Sequence, residues 1–448
     1  MLTPEQIEAL SPDTASLKAG KDLANNKKWV GLFYNERVLW AEIQGSGKDP
    51  YRTQIDLTNT AFKCSCPSRK FPCKHGLGAY LLFAKDTSFF TQTNEEPTWV
   101  KDWIDKRVQK EGKKAIAEAE LISPEKLAKQ NKVKEKSANE RLLKVNEGVE
   151  ELRLWLKDML RAGFLSVPEK DSNYWQRTAT RLIDAQARGL ATWVKEISQI
   201  NFYTKAEVWQ KELLEKTSSL YLLLEAFRHL DRLPETLQED IKGLVGIAKT
   251  QKELTDNNAE TLRDTWLVLG KQSFKVEEDN LTGLRQWLYG VKSQKTALIL
   301  DFTYGYTAIK NNLIPGTYLN AELVFYPSNY PFRAFIKSQG SISEQTNVQP
   351  DFLNSWNQWQ NFYAETLALQ PWINLLPAHI TNLSLNKYKN QWYLVDAEKN
   401  AKLLDWNEKK IYKILANEET TNLSFSLIAS PKQILPLGLW KEGKYYFL

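Results

Sequence analysis

Twelve consecutive residues hold every cysteine in this 448-residue chain: Cys64-Ser-Cys66-Pro-Ser-Arg69-Lys70-Phe-Pro-Cys73-Lys74-His75. They also hold one of its three histidines. The order Cys-x-Cys, six residues, Cys-x-His supplies three thiolates and one imidazole, the number and kind of donor that close a tetrahedral structural zinc site. Sulfur donors with one nitrogen favour Zn²⁺ over Mg²⁺, Ca²⁺ or Mn²⁺, which prefer oxygen. The rival chemistries fit poorly. A disulfide leaves one cysteine over, and a bridge from Cys64 to Cys66 would be strained. An iron–sulfur cluster uses four cysteines at other spacings, and a redox pair reads Cys-x-x-Cys. A catalytic zinc keeps one position open for water, whereas four protein ligands leave none. The expected cofactor is therefore one structural Zn²⁺ held by Cys64, Cys66, Cys73 and His75. No catalytic residue is assigned.

The flanks predict how the ligands are held. Trp29 to Tyr34, Arg37 to Gln44 and Tyr51 to Leu57 are short runs rich in aromatic and β-branched residues, which read as strands. Asn35-Glu36 reads as a tight turn. After His75, Leu77, Tyr80, Leu81 and Ala84 recur at i, i+3, i+4 and i+7, one face of a helix. One cysteine pair then sits on a strand-end knuckle and the Cys-x-His pair at a helix start. A ββα unit this small builds little core, so the metal is expected to supply the missing folding energy. Gly76 and Gly78 suit close packing beside the site.

These residues resemble the SWIM zinc finger. The strand-like run, the Cys-Ser-Cys-Pro knuckle and the Pro-Cys-Lys-His step into an apolar helix agree with that pattern over about residues 50 to 85. The whole arrangement also resembles a bacterial family with an N-terminal SWIM finger, a helical middle, and C-terminal runs like Ala-Leu-Ile-Leu-Asp-Phe (297–302) and Val-Phe-Tyr-Pro-Ser-Asn-Tyr-Pro-Phe-Arg-Ala (324–334). Members are often encoded beside a MoxR-type AAA+ ATPase and a von Willebrand factor A protein. That resemblance implies protein partners of those kinds. SWIM fingers in general are taken to bind DNA or protein.

Charge and composition narrow the field. At 42% hydrophobic and 25% charged residues, the chain reads as globular. It contains no apolar stretch long enough to span a bilayer, so no membrane partner is expected. The start, Met-Leu-Thr-Pro-Glu-Gln, reads as a helix start with Thr3 as N-cap, Pro4 first and Gln6 closing a capping box, rather than as a secretion signal. Thiolates ready for metal fit a reducing cytoplasm. The net charge of +6 is concentrated. Residues 101–141 hold twelve Lys or Arg against eight Asp or Glu. Around the ligands, Lys48, Arg52, Lys63, Arg69, Lys70 and Lys74 face only Asp49 and Asp56. A basic rim made of Arg52, Lys63, Arg69, Lys70 and Lys74 is the candidate nucleic-acid-binding surface.

Along the chain, four regions are expected. They are a zinc-finger module over 1–90, a charged helical linker over 91–139, a helical domain over 140–255 and a C-terminal α+β domain over 256–448. A helix from Pro97 carries Trp99, Val100, Trp103, Ile104 and Val108 on one face. In the helical domain, Leu142, Val145, Val149, Leu152, Leu156 and Met159 form a packing stripe that Pro168 terminates. A second helix is expected over 173–198 with Leu182, Trp193 and Ile197 inward, a third over 205–231, and a fourth from Pro234 to about Thr250. Beyond 260, strand-like runs at 266–270, 296–303, 319–326, 332–337, 391–396, 423–429 and 445–448 are interrupted by helices near 281–292 and 351–368. This pattern suggests one mostly antiparallel sheet. The fold class is thus multidomain α+β.

Enzymatic motifs are lacking. Gly45-Ser-Gly47-Lys48-Asp49 imitates a P-loop, but Glu42 replaces the first glycine and Asp49 the Ser/Thr. His229 beside the third helix and His379 in a loop read as ordinary hydrogen-bonded or surface histidines, Glu277-Glu278 as exposed charge, and Arg333 as packing on Tyr330 or Phe335. The expected protein is a non-enzymatic, zinc-stabilised, cytoplasmic binding or adaptor protein. Two alternatives remain: a sequence-tolerant nucleic-acid binder using the basic rim, and an enzyme housed in the C-terminal domain.

Overall fold

The computed structural model of the chain describes residues 2–45, 47, 49–58, 60–117, 124–256, 259–276, 281–304, 311–343, 348–404, 408–415, 420–431 and 433–448, without the side chains at 108–117, 124–135, 138, 256, 276, 341, 343, 408–410 and 413. Lys48, Glu277-Glu278 and the Val108 side chain lie outside the described residues.

The N-terminal module runs α1 (Pro4–Glu8), α2 (Thr14–Leu23), β1 (Trp29–Tyr34), β2 (Val38–Ile43), β3 (Tyr51–Asp56), β4 (Ala61–Cys64), α3 (Lys74–Lys85) and β5 (Thr91–Gln92). Thr3 and Gln6 cap α1 reciprocally, with Pro4 in its first turn. The Asn35 side-chain carbonyl accepts from the Arg37 and Val38 amides and makes the β1–β2 turn. The five strands form one sheet in the order β4-β3-β2-β1-β5, with only β1–β5 parallel. The expected ββα unit is β3-β4-α3, embedded in this larger sheet.

That embedding corrects the expectation of a nearly coreless unit. Ile7, Leu39, Ile55 and Leu77 are fully buried in one cluster drawn from α1, two strands and α3. Helices α2 and α3 cross closely because two glycines meet. A Cβ on Gly78 would lie 2.7 Å from the Leu23 Cβ, and one on Gly20 would lie 2.9 Å from the Leu77 Cβ. Gly76 lies under Phe62, 2.9 Å from where its Cβ would be.

Helix α4 (Thr98–Ala117) covers the other face of the sheet, burying Val100 and Ile104 against Val38 and Trp40. The segment expected to open a linker therefore opens as a second layer on the finger module.

The helical region comprises α5 (Pro124–Ala162), α6 (Ser172–Asp184), α7 (Arg188–Ser198), α8 (Ala206–Arg228), α9 (Glu235–Val245) and the short α10 (Gln251–Asp256). Val145, Val149, Leu152, Leu156 and Met159 are buried as expected, but Leu142 is exposed. Beside it, Arg141 bonds the Gly246 carbonyl at the end of α9, where the neighbouring helix stops. Gly163 at φ 85° ends α5, and Pro168 falls in the 3-10 turn that follows. The single helix expected over 173–198 is two helices, because Gln186 adopts φ 61° between them. Gly189 then packs directly on the α9 backbone, where a Cβ would meet the Leu244 carbonyl oxygen at 2.0 Å. Among the described residues, no helix is long and apolar enough to cross a membrane.

The C-terminal region differs most from expectation. It contains a barrel and a separate sheet. The barrel is β6 (Thr261–Val276), β7 (Leu281–Gly290), β8 (Thr296–Tyr304), β9 (Tyr318–Phe325) and β10 (Arg333–Ser343), closed in the order β10-β8-β7-β6-β9. Strand β6 pairs antiparallel with both β7 and β9 and shifts register between Val268 and Gly270. Closure comes from a short parallel contact of β8 with β10, Leu298 opposite Arg333 and Ile299 opposite Ala334. The helix expected near 281–292 is strand β7. Both its faces are covered at one end: Leu288 points into the barrel core, while Trp287 and Tyr289 point into a second cluster outside. Two covered faces erase the alternation that marks a strand.

After α11 (Trp356–Leu369) come β11 (Leu376–Tyr388), β12 (Gln391–Val395), β13 (Ala401–Leu404), α12 (Glu408–Leu415), β14 (Leu423–Ala429), β15 (Ile434–Lys441) and β16 (Lys444–Phe447). These strands form an antiparallel sheet in the order β13-β12-β11-β14-β15-β16. His379 lies in β11 rather than in a loop. Its Nδ1 is 2.8 Å from the Ser426 hydroxyl, and that hydroxyl accepts from the Trp440 indole at 2.7 Å. His229, at the end of α8, is exposed. Arg333 stacks over Tyr326 at 4.6 Å, not over the Tyr330 or Phe335 rings expected.

The barrel touches every other part. Leu313 enters its core, and the next residue, Ile314, enters the core of the finger module. Leu437 and Trp440 of the C-terminal sheet pack on Trp287 and Tyr289. Asn329, between β9 and β10, donates its amide to Asp240 of α9 at 2.9 Å. Trp372 is buried in the helical core and donates to the Ser219 carbonyl at 3.1 Å. The glycine contact of α2 with α3 yields a prediction. Gly78→Ala should destabilise the finger module by about 1–3 kcal/mol through overpacking, read as a lowered urea midpoint with hydrogen-exchange protection lost first in α3.

Candidate metal centre

Strand β4 delivers Cys64 as its last residue, opposite Thr53 of β3. The knuckle that follows is clamped to β3 through Ser65: its amide donates to the Arg52 carbonyl, and its hydroxyl accepts from the Arg52 amide, both at 2.9 Å. This clamp sets Cys66 beside Cys64. Cys73 is the N-cap residue of α3 and His75 lies in its first turn. The Leu77 amide donates to the Cys73 carbonyl at 3.0 Å, so the helix itself fixes the spacing of the second pair.

The four donor atoms lie within 4.8 Å of one another. Cys64 Sγ and His75 Nδ1 are 3.7 Å apart. With Zn–S near 2.3 Å and Zn–N near 2.05 Å, a tetrahedral edge between sulfur and nitrogen spans about 3.6 Å. The donor set and its spacing therefore fit zinc, with Nδ1 the ligating nitrogen. Cys73 and His75 are buried, whereas Cys64 and Cys66 are half-buried. The Tyr51 ring lies 5.2 Å from the His75 ring and screens it. Four protein ligands make this one structural Zn²⁺ site, in which the cation neutralises thiolates and cross-links the end of β4 to the start of α3.

Protons compete with the cation for these donors. Hydrogen bonding with Cys66 pushes the Cys64 thiol up and holds Cys66 down as thiolate. Burial disfavours charge on His75, but hydrogen bonds with Cys66 and Cys73 outweigh it and push the imidazole up to about 9.

The basic rim is only partly available. Arg52 pairs with Glu42 at 3.1 Å and lies over the Trp99 ring at 5.6 Å. Lys70 pairs with Asp13 at 2.8 Å, and that contact, with the Ser16 amide, holds the Asp13 carboxyl down to about 2. Asp13 is also the N-cap of α2, so Lys70 ties the metal loop to that helix. Lys63, Arg69 and Lys74 are exposed, and no ion pair joins them to another described residue. Ser65, Asp13 and Trp99 are the residues that the motif alone does not reveal. Each acts through chain segments distant from the ligand spacing, or through a backbone contact no spacing encodes.

Residues 51–83 match the SWIM zinc finger, and residues 140–245 match the SWIM-associated four-helix bundle domain. The chain thus carries a SWIM zinc finger followed by its associated helical bundle. No curated protein and no solved structure matches it. The matched residues 140–245 take in the C-terminal part of α5 and helices α6 to α9.

Two outcomes follow for the metal. Elemental analysis should find about one zinc per chain, and Cys73→Ser and His75→Ala should each abolish it. Hydrogen exchange should then rise in β4, the 65–73 loop and the first turn of α3, while 140–245 stays protected. Zinc binding should also release protons. His75 must give up its proton, which it holds up to about pH 9, so zinc affinity should climb from pH 6 to pH 8 in competition with a chromogenic chelator.

Proposed function

We propose that this protein is a non-enzymatic adaptor whose finger module docks a protein partner. The observation that carries this reading is the state of the basic rim. Of its five cations, Arg52 and Lys70 are committed to carboxylates within the module, leaving Lys63, Arg69 and Lys74. Three exposed cations are few for a site built on phosphate contacts, where affinity scales with the number neutralised. The closed ligand set supports a structural metal with no position for substrate.

The family resemblance supplies the first partners to test, a MoxR-type AAA+ ATPase and a von Willebrand factor A protein. The thiolate ligands fit a reducing cytoplasm. The test is affinity capture with the full chain at 50 and 300 mM salt, comparing wild type with Lys63→Glu/Arg69→Glu and with Cys73→Ser. A defined protein recovered at both salt concentrations, and lost with Cys73→Ser, is the expected result. Retention of nucleic acid that disappears at high salt and in the charge-reversed variant would overturn the adaptor reading in favour of a phosphate-binding rim.

A further inference from the structure

The barrel carries a second surface, independent of the finger. Its strand order is that of the oligonucleotide- and oligosaccharide-binding barrels: a long, bent first strand paired on both edges, and a parallel contact between the third and fifth. In such barrels ligands bind on the outer face of the second and third strands, here β7 and β8. Fold alone assigns no function, so the side chains on that face decide.

Register places them. Phe274, Gly283 and Phe302 stand directly opposite one another across β6, β7 and β8. One step toward the rest of the barrel stand Gln272, Arg285 and Leu300, and one step away stand Leu281 and Tyr304. Side chains alternate along a strand, so all of these share the outer face. The C-terminal sheet covers the adjoining part of that face, where a Cβ on Gly270 would lie 3.0 Å from the Leu437 side chain and Trp440 clusters with Trp287. Among the described residues, that cover stops short of Phe302 and Tyr304. Phe302 keeps 47% and Tyr304 66% of their surface open. The Phe274 ring lies over Gly283, where a Cβ would come within 2.3 Å of it, and meets Phe302 edge to face at 6.0 Å. The Arg285 guanidinium lies 3.9 Å above the centre of the Phe274 ring. No carboxylate pairs with Arg285 among the described residues, so the charge on this face is positive.

We propose that the outer face of β6, β7 and β8 binds single-stranded nucleic acid, with unpaired bases stacking on Phe302 and Tyr304 and the backbone passing Arg285. Aromatic side chains two residues apart on one strand offer stacking surfaces about 7 Å apart. Bases of any sequence stack on them. An oligosaccharide needs several side-chain amides or carboxylates around its hydroxyls, and Gln272 is the only such group this face presents among the described residues. Arg285 is the one cation this face presents among the described residues, so stacking supplies most of the affinity and salt weakens it only modestly. Duplex bases are stacked on one another and give this surface nothing.

The test is fluorescence anisotropy with the zinc-loaded full chain, using labelled dT15, rU15 and a 15-base-pair duplex. We expect saturable binding of dT15 or rU15, with at least tenfold weaker binding of the duplex. The stronger of the two single strands identifies the nucleic acid. Phe302→Ala and Tyr304→Ala should each weaken binding roughly tenfold, with melting temperature unchanged. Phe302→Tyr/Tyr304→Phe, which keeps both rings, should bind like wild type. Lys63→Glu/Arg69→Glu should also bind like wild type, which separates this surface from the finger and from the fate of the adaptor reading. No saturable binding of either single strand, equal binding of the duplex, or affinity that survives loss of both rings would each overturn the proposal. Binding of maltohexaose or chitohexaose in place of dT15 and rU15 would do so as well.

Discussion

Strand β6 hydrogen-bonds along both edges, to β7 on one side and β9 on the other, and the rest of the molecule is arranged around that strand. A strand of sixteen residues cannot stay flat while serving two neighbours that curve toward each other. The register shift between Val268 and Gly270 supplies the bend. Gly270 also leaves room for Leu437 of the C-terminal sheet, 3.0 Å from where its Cβ would stand. One residue thereby serves both the closure of the barrel and its contact with the second sheet. A side chain there would force one of the two to yield.

The metal centre works on a shorter scale. Its four donors come from twelve consecutive residues, and the clamp on Ser65 and the start of α3 preform the two halves. The module has a core of its own, so zinc is one contribution among several rather than the sole source of order. Its particular effect is to fix the 65–73 loop, which is also anchored by the Ser65 clamp on Arg52, the Lys70–Asp13 pair and the contact of Phe71 with Phe62 at 6.3 Å.

The same difference of scale explains what could be read in the sequence. Chelation demands particular side chains at close spacing, so Cys64, Cys66, Cys73 and His75 were legible from their order alone. The stripe from Val145 to Met159 was legible because α5 shows one face to the core. Strand β7 was not, because Leu281, Leu284 and Leu288 imitate helical spacing and its outward residues Trp287 and Tyr289 are buried too. The break at Gln186 was missed because a single residue of positive φ carries no strong composition signal when it is not glycine. Barrel closure rests on the pairing of Leu298 with Arg333, a contact between distant segments that no local window contains. The rim was legible as charge but not as availability, since the partners of Arg52 and Lys70 are Glu42 and Asp13, and both had to be brought there by folding.

Leu313 and Ile314 are neighbours in the chain with opposite allegiances, one seated in the barrel and the other in the finger module. The two side chains enter different cores, so this two-residue stretch serves as a rivet through two walls. Parts riveted in this way do not travel separately. A finger cut away near residue 90 would leave behind the isoleucine that fills its own interior, and a finger borrowed from another chain would arrive with the wrong socket. In heredity as in engineering, this zinc module should therefore move together with its barrel, and drift in sequence at position 314 should track drift in the residues around Leu77 and Ile7.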